Sequence, residues 1–197
     1  MKSNGFQGEI NIIKNDDRTD QEQFDIGLNY RIKNINAFNF KIYGKYLLCS
    51  NKPSTKIFLL EAFKEKTPPL DSKLFSIIHA TFYISPSALI GNGVIIEAMA
   101  CIAPYAELGK GVLISRTSTV GHQTKIGNWS TISPGVTIAG KVKIGESVMI
   151  GPGTTVFFRT SIGNNTIIGD GSVVWQDVPE GVIAYGNPCR VTRKIKK

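Results

Sequence analysis

An aliphatic residue recurs at every sixth position of this chain from Ile78 to Val174, and no insertion or deletion breaks the phase. Seventeen positions take part, and each holds isoleucine, leucine or valine. Because apolar residues make up only 42% of the composition, so long an unbroken run indicates a structural repeat. Four residues after the aliphatic position, from Ala88 to Ser172, the side chain is small or β-branched.

A period of six residues is typical of a β-helix, in which each hexad forms one short strand and one corner. Three hexads make a triangular coil of eighteen residues, and successive coils stack at about 4.8 Å. The aliphatic residue points into the prism. Corners need unusual backbone angles that Gly, Asn and Asp adopt most easily, and Gly-Asn-Gly at 91–93 and Gly-Asp-Gly at 169–171 fall in that phase. We therefore predict a mainly β protein built on a parallel β-helix.

Residues 1–77 lack the repeat and predict a small α/β unit with a partly parallel sheet. Apolar runs predict strands at 9–13, 45–49 and 74–78, and the pattern of 55–66 predicts an amphipathic helix with Ile57, Leu60 and Phe63 on one stripe. Three regions are therefore expected: an α/β domain at 1–77, a β-helix at 78–178, and a C-terminal cap with a basic tail at 179–197.

The repeat resembles the left-handed parallel β-helix of the hexapeptide-repeat acyltransferases, and two further motifs carry the resemblance. Val120-Gly121-His122 is similar to the Ile-Gly-His motif of that family, and residues 173–190 are similar to its closing signature, with Cys189 where alanine is usual. The whole arrangement resembles the sugar O- and N-acetyltransferases of the sialic-acid and bacillosamine type. The resemblance implies left-handed coils and a Rossmann-like N-terminal domain. Here that domain lacks its opening Gly-rich loop, so we expect a truncated form that begins at the family's second strand, with Asp16-Asp17 after it.

His122 is the first candidate for chemistry. Its spacing from Val120 places it near a corner and facing outward, which fits either a plain surface residue or a functional one. The resemblance implies the general base, and an imidazole with the ordinary pKa of about 6.5 suits that task. Gln123 stands where many relatives have an acidic residue, and Thr131 where some have a second histidine. One coil of eighteen residues places Gly140 directly above His122, and the resemblance implies that the Gly140 N–H contacts the thioester carbonyl.

The resemblance further implies acetyl-CoA as co-substrate and a homotrimer with active sites between adjacent prisms. The pantetheine arm is expected to run along the prism edge from Gly140 toward the basic tail. The candidate contacts for this arm are Gly151, Gly153, Pro188, Arg190 and Lys194. The candidate contacts for the acceptor are Ser115, Arg116, Trp129 and Thr131.

The net charge and the cysteine content limit the classes of ligand and metal that we expect. The net charge of +8 and the pI of about 9.4 favour anionic partners, which include nucleotide-linked sugars, coenzyme A, nucleic acid and a membrane surface. The three cysteines have neither metal-ligand nor disulfide spacing, so no metal is expected. The chain has no signal peptide and no apolar run near twenty residues. We expect a cytoplasmic protein without a membrane span and without a nucleic-acid partner.

These observations and the resemblance together predict an acetyl-CoA-dependent acetyltransferase acting on an amino or hydroxyl group of a sugar in surface-glycan synthesis, and a nucleotide-linked sugar is the expected acceptor. Transfer would be direct, with His122 as base. Two alternatives stay open: an acyltransferase for a different small acceptor, or a degenerate β-helix without activity. A metal site of the γ-carbonic-anhydrase type needs three histidines, and this chain has two, His79 and His122.

Overall fold

A computed structural model describes residues 10–14, 30–34, 45–64 and 73–195. The chain divides into two compact units, residues 1–43 and 44–197. The domain boundaries at 77 and 178 stay predictions.

Two parallel strands are described in the first unit. Strand β1 (Ile10–Lys14) pairs with β2 (Tyr30–Asn34), with Ile10 opposite Tyr30 and Lys14 opposite Asn34. Strand β1 lies where the sequence predicted a strand, and β2 was not predicted. The Asp16-Asp17 pair lies outside the described residues.

The second unit opens with helix α1 (Pro53–Lys64), which begins and ends two residues before its predicted limits. Proline at the first helical position has a φ angle already suited to the helix, and the N–H groups of Thr55 and Lys56 donate to the Lys52 carbonyl. The strand predicted at 45–49 is reduced to a single parallel bridge between Tyr46 and Leu74. That bridge is joined by two backbone hydrogen bonds, too few to extend into a strand.

Seventeen two-residue strands follow, and each ends on one of the seventeen aliphatic positions. They are β3 (Ile77–Ile78), β4 (Tyr83–Ile84), β5 (Leu89–Ile90), β6 (Ile95–Ile96), β7 (Cys101–Ile102), β8 (Glu107–Leu108), β9 (Leu113–Ile114), β10 (Thr119–Val120), β11 (Lys125–Ile126), β12 (Thr131–Ile132), β13 (Thr137–Ile138), β14 (Lys143–Ile144), β15 (Met149–Ile150), β16 (Thr155–Val156), β17 (Ser161–Ile162), β18 (Ile167–Ile168) and β19 (Val173–Val174). The sequence period therefore sets the strand positions without an exception.

These strands form the three faces of a left-handed parallel β-helix. The first face runs β4-β7-β10-β13-β16-β19, the second runs β5-β8-β11-β14-β17, and the third runs β3-β6-β9-β12-β15-β18. Each strand pairs with the strand eighteen residues later, so that Val120 lies opposite Ile138 and Ile126 opposite Ile144. The predicted triangular coil of eighteen residues is confirmed.

The core is the ladder of aliphatic side chains inside the prism. From Ile96 to Val174 every aliphatic position is buried. Ile78 is 38% exposed, and Ile84 and Ile90 are partly buried, because all three belong to the first coil at the end of the stack. Burying a side chain of this size stabilises the fold by about 1.5–3 kcal/mol each, so the ladder accounts for most of the hydrophobic stabilisation.

Glycine has two different reasons for its place at the corners. The left-handed backbone angle falls on the third corner residue, as at Gly111 with φ 61° and Gly171 with φ 63°. The glycine that directly follows the aliphatic residue does not have this angle. A Cβ at Gly127 would lie 2.5 Å from the Gly145 carbonyl carbon in the next coil. Close stacking of the coils therefore explains that first glycine, and the sequence-based reason given for it was wrong.

A hairpin closes the end of the prism. Strand β20 (Val182–Tyr185) pairs in parallel with β18, and β21 (Arg190–Lys194) pairs antiparallel with β20. The peptide bond between Asn187 and Pro188, in the connecting turn, is cis. The hairpin satisfies the backbone groups that an open end would leave unpaired.

Candidate active site

His122 lies at the corner between the first and second faces. We call this edge of the prism the His122 corner; it comprises residues 85–88, 103–106, 121–124, 139–142, 157–160 and 175–178, one group from each coil. Residues eighteen apart stack in columns along it. His122, Gly140 and Phe158 therefore occupy one column.

The imidazole of His122 lies in the space that a Gly140 side chain would fill. A Cβ added to Gly140 would lie 2.5 Å from His122 Nε2, 2.8 Å from Cδ2 and 2.9 Å from Cε1. The Lys141 N–H donates to the His122 carbonyl over 2.8 Å and ties the two coils together. The predicted stacking of Gly140 on His122 is confirmed. Within residues 73–195 no carbonyl or side chain accepts the Gly140 N–H.

Gln123 determines which imidazole nitrogen carries the proton. His122 Nδ1 lies 3.2 Å from Gln123 Oε1, and an amide oxygen can only accept a hydrogen bond. Nδ1 is therefore the donor, and Nε2 keeps its lone pair in the neutral ring. The imidazole is exposed, and the Phe158 ring contacts it with 6.2 Å between ring centroids and a tilt of 49°. The predicted neighbour of the base thus fixes its tautomer through an uncharged contact.

Large side chains occupy the left-handed position of the His122 corner, where other corners often have glycine. The residues are Tyr105, Gln123, Lys141 and Arg159, with φ angles of 58°, 58°, 59° and 63°. A non-glycine residue with this φ is uncommon because its Cβ is crowded. Non-glycine residues also take this angle at other corners, for example Met99 and Trp129.

A second cluster lies further up the same corner. Arg190 Cζ is 5.8 Å from the ring centroid of Trp175, which is exposed. Trp175 belongs to the coil three above His122, so the strand spacing gives a separation of about 14 Å along the axis. The structure therefore brings the predicted cofactor contact Arg190 to the corner that carries His122 and Gly140. Pro188 and Lys194 are exposed on the same hairpin.

Other predicted contacts lie at a different corner. Gly151 and Gly153 belong to the corner between the third and first faces, which also carries Ser115 and Arg116. Ser115 is 5% exposed, and the carboxylate of Glu97 accepts the Arg116 N–H over 2.9 Å. Six residues of extended chain, about 20 Å, separate this corner from His122. One chain does not bring these residues together with the base.

Helix α1 covers two of the predicted acceptor contacts. Thr131 is 1% exposed and Trp129 is 9% exposed. Lys56 Nζ donates over 3.0 Å to Thr131 Oγ1 and over 3.0 Å to the Gly111 carbonyl, while the Trp129 ring lies against Gly111. Both candidate acceptor contacts are therefore buried within one chain, and their role in acceptor binding stays a prediction.

Lys56 was not predicted to matter. It is 1% exposed, and burial lowers its pKa to about 8. A signal existed in the sequence, since Lys56 lies four residues before Leu60 and thus on the buried stripe of the helix. Among the described residues no group of three His, Cys, Asp or Glu side chains could hold a metal ion, and no described helix is long and apolar enough to cross a membrane.

Comparison with known proteins supports the fold. Residues 105–140 match the family model "Bacterial transferase hexapeptide (six repeats)", and no curated protein matches the chain by sequence. The acetyltransferase domain of PglB from Neisseria gonorrhoeae is 23% identical, with a TM-score of 0.80 over 93% of this chain and 99% of that chain. PerB from Caulobacter crescentus, in complex with CoA and GDP-perosamine, is 22% identical, with a TM-score of 0.76 over 95% and 99%. WeeI from Acinetobacter baumannii is 22% identical, with a TM-score of 0.77 over 91% and 84%. Residues 105–140 are therefore similar to the bacterial transferase hexapeptide repeat, and the chain shares the fold of these acetyltransferases.

Proposed function

We propose that the protein is an acetyl-CoA-dependent acetyltransferase that acylates an amino or hydroxyl group of a sugar. The observation that carries the proposal is the position of the His122 imidazole, which is stacked on Gly140 and donates its Nδ1–H to Gln123 Oε1. This arrangement leaves a basic nitrogen and an unused backbone N–H side by side. The similar PglB domain has been described in complex with acetyl coenzyme A, and PerB with CoA and GDP-perosamine.

The chemistry follows from these two groups. His122 Nε2 takes the proton as the amine or hydroxyl attacks the thioester carbonyl carbon. The new bond places negative charge on the carbonyl oxygen, which the Gly140 N–H stabilises. The intermediate collapses by breaking the carbon–sulfur bond, and the leaving thiolate takes the proton from the imidazolium. Holding both substrates at one corner supplies the proximity that direct transfer needs.

Coenzyme A is proposed to lie along the His122 corner. Its thioester would be at Gly140, and its arm would run up the coils toward Trp175 and Arg190. An extended pantetheine arm of about 16 Å matches the separation of about 14 Å between these groups. Pro188 and Lys194 on the same hairpin remain candidate contacts. Gly151 and Gly153 are not proposed as coenzyme A contacts within the same chain, because they lie at another corner.

A homotrimer stays part of the proposal for a geometric reason. Arg116 and Ser115 are about 20 Å from His122 within one chain. They reach a site at His122 only if a second copy brings its own corner to the first. The acceptor class, a nucleotide-linked sugar, is proposed from the charge of the chain and from the GDP-perosamine in the PerB complex.

The test is release of free thiol from acetyl-CoA with a panel of amino sugars and nucleotide-linked amino sugars. His122→Ala is expected to lower kcat about 100-fold or more, because general-base catalysis contributes about 10²–10⁴-fold. His79→Ala is the matched control, since His79 is the other histidine, lies in the first coil and contacts Thr81. Equal rates in wild type and His122→Ala would show that the base is misassigned. Absence of thiol release with every acceptor would overturn the proposed activity.

A further inference from the structure

Two cations stand beside the imidazole at the His122 corner. Lys141 Nζ is 5.8 Å and Arg159 Cζ 5.0 Å from the ring centroid of Phe158, and that ring lies 6.2 Å from the His122 ring. Adding either cation distance to the distance between the rings puts both cations within about 12 Å of the imidazole. Phe158 thus contacts both positive charges and the imidazole.

Neither charge is neutralised by the part of the chain that the structure describes. Lys125, on the neighbouring strand β11, pairs with Glu107 over 2.8 Å, but no ion pair involves Lys141 or Arg159 among residues 73–195. The nearest acidic position by register is Asp177, one coil above Arg159, and its carboxylate accepts the Ser161 N–H instead. Both cations also occupy left-handed backbone positions, which glycine would fill at lower cost.

We propose that Lys141 and Arg159 form an anion site that binds the diphosphate of a diphosphate-linked sugar acceptor. The inference rests on the proposed function for the location of the acceptor. An arginine and a lysine that contact the same aromatic ring suit a diphosphate, because phosphate oxygens accept charge-assisted hydrogen bonds from both. The uncharged Phe158 ring contacts both cations and leaves their charge available to an anionic ligand.

Distance identifies the acceptor as the source of this diphosphate. In a sugar diphosphate, a reactive amine on the ring lies about 6–10 Å from the phosphorus atoms, judged from ordinary bond lengths. That length falls within the limit of about 12 Å between the imidazole and each cation. The diphosphate of coenzyme A lies about 16 Å beyond its sulfur when the arm is extended, which instead matches Arg190. The corner therefore offers separate positive charges to the two substrates.

The experiment is isothermal titration of the full chain with inorganic pyrophosphate, UDP and coenzyme A. The variants are Lys141→Gln and Arg159→Gln. Lys143→Gln is the matched control, because it removes the same charge from an exposed strand position two residues from Lys141. Each test variant is expected to weaken pyrophosphate and UDP binding about tenfold, while the control and all coenzyme A affinities stay within about threefold.

Three results would overturn the inference. The first is no binding of pyrophosphate or UDP to wild type. The second is equal binding by wild type and both test variants. The third is weakened coenzyme A binding with UDP unaffected, which would assign the cations to the donor. None of these titrations needs turnover. Acetyl transfer without diphosphate binding would reject this site alone, and diphosphate binding without transfer would reject the proposed activity alone.

Discussion

Gly140→Ala tests whether the empty space beside Gly140 positions the base. The new Cβ would lie 2.5 Å from His122 Nε2, and ordinary contact begins at about 3.4 Å. The imidazole must therefore shift by roughly 0.9 Å. A misplacement of about 1 Å can cost 100-fold in rate, so kcat/KM for thiol release should fall by about that factor. The φ angle of Gly140 is not left-handed, and the imidazole is free to turn outward, so the melting temperature should change by only a few degrees.

A double-mutant cycle separates this effect from a direct effect on the thioester. If the methyl group acts through the imidazole, Gly140→Ala changes the residual activity of His122→Ala by less than about threefold. Two results would refute the reasoning. One is Gly140→Ala with half or more of the wild-type kcat/KM. The other is an equal loss in both backgrounds, which would mean that the methyl group blocks the donor and does not displace the base.

Three further predictions follow from the same contacts. Gly121→Ala places its Cβ 2.5 Å from the backbone nitrogen of Gly140. Unlike Gly140→Ala, this substitution should lower the free energy of unfolding by about 2 kcal/mol or more in urea titrations, and an unchanged urea midpoint contradicts the prediction. Gln123→Glu puts a carboxylate on His122 Nδ1, which favours the imidazolium, and should move the acidic limb of the pH–rate profile to higher pH; an unmoved limb contradicts it. Burial lowers the pKa of Lys56 from 10.5 to about 8, so between these pH values the unfolded chain binds more protons than the folded one. The free energy of unfolding of the wild type should therefore rise with pH by up to about 3 kcal/mol. Lys56→Met should lose this rise in urea unfolding at pH 8 and 10, and a parallel rise in both proteins contradicts the prediction.

The β-helix and the column at its active corner could be predicted because a solenoid pairs each strand with the strand a fixed number of residues later. With no insertion between Ile78 and Val174, adding eighteen to His122 gives Gly140, and the structure confirms that contact. Gln123 could be assigned to the ring for the same reason, since it is the next residue at the same corner. The spacing of residues along the chain is enough to predict contacts wherever those contacts repeat with a fixed period.

The errors fall where segments outside the repeat pack against it. Thr131 reads as an outward strand residue, but helix α1 covers it and Lys56 donates to its hydroxyl. Strand β2 was missed, and the predicted strand at 45–49 is one bridge at Tyr46. These outcomes depend on which distant surface a segment meets, and no period in the sequence encodes that choice.

The sequence by itself determined the three-sided coil, the buried aliphatic ladder and the imidazole stacked on a glycine, because each is a consequence of one uninterrupted period. The tertiary structure alone decided that the hairpin after the last coil carries Arg190 to the His122 corner. It also decided that Lys141 and Arg159 contact Phe158, the ring next to His122, and that Lys56 of helix α1 packs against Thr131 on the third face. Side-chain directions at a corner and the docking of non-repeating segments are fixed by packing in three dimensions, which spacing along the chain does not specify.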